Sequence, residues 1–513
     1  MTLQPRRDSA MLCARMPSPT DSTDDALAPD QRHLDRSLVS GIAWTVAFRW
    51  IAQVVSWAAT LYVARILVPG DYGLVAMATV PIGFARLVED LGLDAIIVQD
   101  RTLSPGQLAS LGGSMLCLGV VLTASFAALA LPIASYFREP AVAAIVAALS
   151  LTFIFDAVQV LPRALLQRDL RFRTLAWLHG LQVTIAAVVV AGAATLRLGH
   201  WALVLNTLVS SAIITGTLYV LRPFQVGWPR QLGQIAGSLV AGWRMLVSRG
   251  AWYGYSSLDS ALIGRVLGKE ALGIFGFAMT FASLPVTEVS SMVSKVVPGV
   301  FSSVQDSPPR LRRYFLLLTE TVSYITLPMS VGLALTAEDF ILLALGPKWV
   351  DVILPLQVLC LYMAFNACQM LVSHVLLWTG HFRANMWLNI LALVLLPTGF
   401  YIGLHWGVPG VAWAWAIGFP ISVAPVAYLM VRILDVRLRD FVDALQPAVV
   451  SCGVMAVAVV LARQVLPGGW SHGLRLIAQA SSGALVYSGA LLAIYWVRVL
   501  RIFEVVREAR RSG

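Results

Sequence analysis

Apolar runs of 18 residues or more recur along nearly the whole of this 513-residue chain. Each is long enough to cross a hydrocarbon layer of about 30 Å as a helix. Globular burial does not call for so many, and the composition agrees: 58% of the residues are hydrophobic and 12% charged, against about a quarter charged in ordinary soluble domains. The chain reads as an all-α polytopic membrane protein with no soluble segment large enough to hold an enzyme.

Windows bounded by Gly, Pro and Arg clusters predict about fourteen spans. Six fall near 41–64, 72–98, 108–135, 141–161, 174–196 and 200–221. After a polar stretch from Arg222 to Gly242, six more fall near 243–264, 271–297, 314–336, 352–378, 384–405 and 408–431. Two others, near 443–466 and 474–497, follow, and the short run Phe340 to Leu345 reads as interfacial. The implied organisation is a disordered cytoplasmic tail (1–36), an N-lobe (37–222), a C-lobe (243–432), two further helices (433–498) and a basic tail (499–513). The first tail has no apolar run long enough for a signal-peptide core, and Met11 and Met16 inside it allow a later start.

Basic residues orient this layout. Of the 37, 34 are Arg and 3 are Lys. The termini and the loops after even-numbered spans hold 25, against 8 in the loops after odd-numbered spans, which puts both termini in the cytoplasm. The net charge of +10 therefore reports topology rather than nucleic-acid binding. The five cysteines show no CxxC spacing and predict neither disulfide nor metal site.

The two sets of six also repeat one another. At an offset of 200 residues, Arg49, Ser56, Arg65, Leu67, Gly73 and Ala78 fall on Arg249, Ser256, Arg265, Leu267, Gly273 and Ala278 without a gap. At an offset of 210, Leu166, Phe172, Arg173, Trp177 and Leu178 meet Leu376, Phe382, Arg383, Trp387 and Leu388. Six is an even number of crossings, so both copies start on the same side, and the repeat predicts two lobes about an axis along the membrane normal with a cavity between them.

An ionisable group within a span costs about 3 kcal/mol on insertion scales and needs a partner, a wet cavity or a place near an end. Those present are Arg49, Arg86, Glu89, Asp90, Asp94, Asp156, Arg249, Asp259, Glu288, Lys295 and Glu320. Arg49, Gln53 and Ser56 share one face of the first helix; Arg249, Tyr253, Ser256 and Ser260 share one face of the seventh, with Asp259 close to it. Either the two guanidinium groups face the cavity, where a planar five-donor fork holds phosphate oxygens, or each pairs with an acid or snorkels. Arg86 and Asp90, four residues apart, read as a neutralised pair. Glu89, Glu288 and Asp259 are the candidates for binding a coupling proton or sodium ion. Lys295 reads as snorkelling, and Asp156 and Glu320 as acceptors of hydrogen bonds from other helices. His179 and His374 read as packing residues, and Trp44, Trp57, Trp201, Trp243 and Trp406 as an aromatic belt.

The sequence has no GxxxxGK[ST] loop, HExxH, GxSxG or paired-carboxylate motif on a sizeable external loop, so any work must draw on an ion gradient, the membrane potential or cargo flow. The segments LVPGDYGLVAMATVPIGFARLVEDLGLDAIIVQ (67–99) and ALLQRDLRFRTLAW (164–177) resemble the polysaccharide transporter family, the Wzx-type flippases of the multidrug/oligosaccharidyl-lipid/polysaccharide exporter superfamily. The resemblance covers roughly residues 37–440. It implies a bacterial inner-membrane protein that flips undecaprenyl-pyrophosphate-linked oligosaccharide repeat units for lipopolysaccharide, capsule or exopolysaccharide synthesis. It also implies alternating access, no cofactor, and polymerase and chain-length proteins of the same pathway as partners. Arg49 and Arg249 match the family's cationic cavity residues by character and repeat position. Two other readings remain open: a cation-coupled drug exporter of the same superfamily, which would want an acid-lined cavity, and a membrane polysaccharide polymerase or ligase, which would need reactive groups on an outer loop.

Overall fold

Long helices follow wherever the apolar windows run, and each boundary has a local cause. The computed structural model describes residues 52–89, 97, 103–169, 171–223, 227–228, 232–304, 307–378, 382–434, 436–467 and 469–511. Its helices are α1 (Ala52–Ile66), α2 (Pro69–Glu89), α3 (Pro105–Phe137), α4 (Ala141–Arg168), α5 (Phe172–Thr195), α6 (His200–Leu221), α7 (Leu232–Val266), α8 (Lys269–Val304), α9 (Pro308–Ala344), α10 (Ile353–Trp378), α11 (Phe382–Gly403), α12 (Gly407–Leu434), α13 (Leu438–Val465) and α14 (His472–Arg511). No strand occurs among the described residues. Ser104 starts α3 with a capping box, its Oγ accepting from Gln107 N while Gln107 Oε1 accepts from Ser104 N. Arg138 ends the same helix in the left-handed region at φ 59°.

Ten segments are long and apolar enough to cross a bilayer, one of them (Arg383–Pro425) taking in both α11 and α12; the α1–α2 pair, bent by 118°, adds an eleventh if it is one span. The chain is thus polytopic and helical, but the number fourteen is not confirmed. Among the expected spans α7 falls short, because Arg249, Asp259 and its tyrosines and serines make it too polar, as suits a helix that borders a cavity. It also begins earlier than expected, at Leu232, inside the stretch read as polar linker. The run Phe340 to Leu345 forms the last turn of α9 and its C-cap. The segments 1–36 and most of 90–102 lie outside the described residues, and the terminal tail 499–513 continues α14 as far as Arg511.

The helices pack in two sets: α2, α3, α5 and α6 gather around α4 or α6, while α7, α8, α9, α11 and α12 gather around α10 or α11. α13 and α14 pack on one another and on α9. The principal contact between the two sets is α2 against α8. There a Cβ on Gly73 would stand 1.8 Å from the Lys269 carbonyl oxygen, and a Cβ on Gly273 would stand 1.9 Å from that of Pro69. The two close approaches exchange under the 200-residue offset read from the sequence, so the repeat is realised as a two-fold-like crossing of backbones that only glycine permits. Around it Met77, Ala78, Phe275 and Ala278 are fully or almost fully buried.

This crossing generates a prediction. Gly73→Ala or Gly273→Ala forces the backbones apart at a cost of roughly 1–3 kcal/mol, lowering the temperature at which the purified protein loses its monodisperse chromatographic peak. Gly276→Ala, where a Cβ meets nothing within 4 Å, leaves that temperature unchanged.

Candidate functional site: a cavity between α2 and α7

One turn further along, α2 and α7 diverge around a cavity of about 510 Å³. Ala76, Thr79, Val80, Gly83, Arg86 and Leu87 line it from α2, and Tyr253, Ser257 and Ser260 from α7. That volume falls within the roughly 300–1,000 Å³ of ordinary ligand sites. Tyr253 fixes the separation of its walls: the phenol donates to Val80 O at 3.0 Å, and its ring meets Phe84 edge-on at 4.7 Å. Gly83 makes this possible, since a Cβ there would stand 1.8 Å from Tyr253 Oη.

Arg86 supplies the cavity's charge. Its side chain is 48% exposed, and it pairs with Asp156 of α4 at 3.3 Å and donates to Thr152 Oγ1 at 3.4 Å. The partner expected within the helix, Asp90, lies outside the described residues; the observed pair joins two helices and leaves much of the guanidinium turned to the cavity. Asp156 thus accepts from another helix as expected. Among the described residues Glu320 instead accepts from Tyr324 of the same helix, at 2.6 Å, because the two residues lie one turn apart.

The structure distributes the predicted site residues as follows. Tyr253 lines the cavity. Ser256 is rotated off the lining and donates to Tyr253 O at 3.2 Å, and Ser257, at i+4 from Tyr253, takes the place on the shared face. Arg249 is exposed one turn before Tyr253 and forms no ion pair among the described residues. Gln53 and Ser56 are half-buried on α1 and lie away from this lining. Arg49 lies outside the described residues. Glu89 is buried beyond Arg86, and Glu288 is half-buried on α8.

Asp259 turns to the opposite side of α7. It is 2% exposed and accepts from Trp415 Nε1 at 2.9 Å and from Ser260 Oγ at 3.1 Å, as well as from Ser260 N. No basic side chain pairs with it among the described residues. Ser260 also lines the cavity, so a single hydroxyl separates the buried carboxylate from the cavity space. Trp415 is itself enclosed by Tyr362 at 4.8 Å and Phe400 at 5.1 Å.

Sequence reasoning missed Arg86 as a cavity group, because Asp90 four residues on offered it a local partner. The signal available was Asp156, an acid in the middle of an apolar span with no cation three or four residues away on its own helix.

Access can be read directly. In a cysteine-free background, Thr79→Cys and Ser257→Cys react with a water-soluble thiol reagent in membranes opened on both faces. Leu272→Cys, at a position 1% exposed, stays unmodified.

A family model described as polysaccharide biosynthesis protein matches residues 62–354. A Klebsiella pneumoniae protein described as an uncharacterized membrane protein in the cps region is 25% identical over 419 residues, covering 79% of this chain and 85% of the relative. The lipopolysaccharide biosynthesis protein WzxC of Escherichia coli K12 is 24% identical over 416 residues, covering 80% and 81%. Among solved structures, the lipid II flippase MurJ in an inward closed conformation aligns with a TM-score of 0.73 over 89% of this chain and 100% of that one; at 13% identity it speaks for the fold alone. The family match takes in more than half of the sequence and both walls of the cavity, and the chain belongs to the polysaccharide biosynthesis protein family.

Proposed function

We propose that the protein moves a lipid-linked oligosaccharide across the bacterial inner membrane by alternating access, with both termini in the cytoplasm. The observation that carries this reading is the cavity between α2 and α7, which presents a half-exposed Arg86 together with tyrosine and serine hydroxyls. Arg249 stands one turn away on α7, exposed. An anionic headgroup finds paired donors there, since a guanidinium fork matches phosphate oxygens bidentately. The apolar tail stays in lipid, where it has no transfer cost to meet. The repeat-related N-lobe and C-lobe would rock about the α2–α8 crossing, exposing the cavity to one face and then the other.

The cargo we favour is an undecaprenyl-pyrophosphate-linked repeat unit. Support comes from WzxC, a lipopolysaccharide biosynthesis protein, and from MurJ, a lipid II flippase of the same fold. A cationic wall is the wrong chemistry for exporting organic cations. Chemistry on the cargo is not part of the proposal.

Asp259 is the coupling group we favour over Glu89 and Glu288. A buried carboxylate held by Trp415 and Ser260, with no basic partner among the described residues, changes its demand on both donors when a proton or cation arrives. The change would be felt at the α7–α12 contact and, through Ser260, in the cavity.

Two outcomes test the proposal. Removing a charge-assisted contact to phosphate is worth roughly 1.5–3 kcal/mol, so Arg86→Ala and Arg249→Ala each lower surface polymer at least about tenfold at normal protein levels, with lipid-linked intermediates accumulating inside. Unchanged export in the double variant would defeat the assignment. Asp259→Asn keeps the acceptor for Trp415 but not the charge; it leaves cargo binding to the purified protein intact and removes the dependence of translocation on an imposed ion gradient.

A further inference from the structure

At the end of the α2–α8 interface remote from the cavity, the two repeats hold one another through a reciprocal pair of arginines. α1 and α7 each carry an arginine one residue before their last: Arg65 before Ile66 and Arg265 before Val266. Arg65 crosses to the second repeat, where Nε donates to Ala344 O at 2.9 Å and Nη2 to Leu343 O. Arg265 crosses to the first, where Nη1 donates to Ser135 O at 3.3 Å and to Tyr136 O. The acceptors are last-turn carbonyls of α9 and α3, which stand at the negative end of the helix dipole; of the four, Ser135 O also accepts from the cap residue Arg138 N at 3.3 Å. Both helices then turn through left-handed residues, Arg138 at φ 59° and Gly346 at φ 93°.

Each arginine is backed by a lysine. Lys348, just past α9, donates to Leu67 O at 2.5 Å and Arg65 O at 2.7 Å, and Lys269, at the start of α8, pairs with Glu139 at 3.1 Å. Between the two halves Trp349 is fully buried, donates to Ala64 O at 2.9 Å, and packs on Phe277 at 4.2 Å and Tyr72 at 5.8 Å. At this end, then, the two repeats meet in a sealed aromatic plug with cations reaching across on both sides. At the other end of the interface lies the cavity.

We propose that Arg65 and Arg265 are the two halves of a latch that keeps the face remote from the cavity closed, and that both must release before the cavity opens to that face. The inference rests on the alternating-access reading above and adds the residues that gate one of its two faces. The chemistry suits a reversible latch. A carbonyl acceptor carries no titratable charge, so the latch does not respond to protonation of its acceptors. A guanidinium leaving a helix end at the surface exchanges that carbonyl for water at small net cost. Two equivalent halves make release cooperative, because either arginine alone still ties the repeats together.

The test uses the full-length protein in membranes, with Ala278→Cys as a reporter in a cysteine-free background. Position 278 is fully buried beside the crossing and is to be probed from the remote face with a membrane-impermeant thiol reagent. In Arg65→Ala/Arg265→Ala, which loses all four donated bonds, each exchanged for water at small net cost, the labelling rate from that face rises about tenfold, whereas each single variant gives a smaller rise. Arg65→Lys/Arg265→Lys, which keeps the charges but not the forks, falls between wild type and the alanine pair. Equal labelling in all variants, at matched amounts of protein with an unchanged chromatographic profile, overturns the latch. If the alanine pair does not fold, the lysine pair carries the decision by the same readout. The measurement separates the two ideas: a rise in labelling with cargo distribution unaffected in the Arg86 and Arg249 variants keeps the latch and rejects the transport reading, and the converse rejects the latch alone.

Discussion

The contact on which the rest of this architecture depends is the crossing of α2 and α8, where glycine at positions 73 and 273 lets each helix rest on the other's backbone carbonyl. In a bilayer the apolar effect does not draw helices together, because lipid is as apolar as leucine; close packing of small residues does. Since the two contacts exchange under the sequence repeat, any rotation that loosens one alters the other in the same sense. That geometry suits the crossing to the pivot we propose: on one side of it α2 and α7 line the Arg86 cavity, and on the other the repeats close over Trp349.

The charged groups follow the same division. At the closed end the cations are spent on backbone: Arg65, Arg265 and Lys348 all donate to carbonyls at helix ends. In the cavity Arg86 is held from behind by Asp156 and faces open space. Asp259 occupies a third environment, buried among aromatic rings and joined to the cavity only by Ser260. The coupled movement of an anionic amphiphile that we propose draws on all three: an enclosed acid, an exposed cation and arginines bound to helix-end carbonyls.

Much of this was legible in the sequence, and the failures have physical causes. Apolar length placed the helices, and the constant offset of charged and glycine residues matched Gly73 to Gly273 and Arg65 to Arg265 as equivalent positions of a repeat. Tyr253 was found by helical spacing, but spacing alone could not choose between Ser256 and Ser257, because a rotation of about 100° about the α7 axis separates them. Arg86 was hidden by a plausible partner on its own helix, and Trp349 by its place in a short external turn, where a tryptophan ordinarily suggests the aromatic belt. The count of crossings differs from fourteen because α7 is too polar to pass by length and hydropathy, α11 and α12 run together as one apolar segment, and α1 and α2 form a bent pair.

The measurement that bears most directly on the central claim is the leaflet location of pyrophosphate-linked oligosaccharide in cells depleted of this protein, read with a membrane-impermeant reagent at the outer face. The account predicts completed repeat units trapped in the inner leaflet and surface polymer lost. Repeat units accumulating at the outer face would contradict it and place the protein's action after translocation.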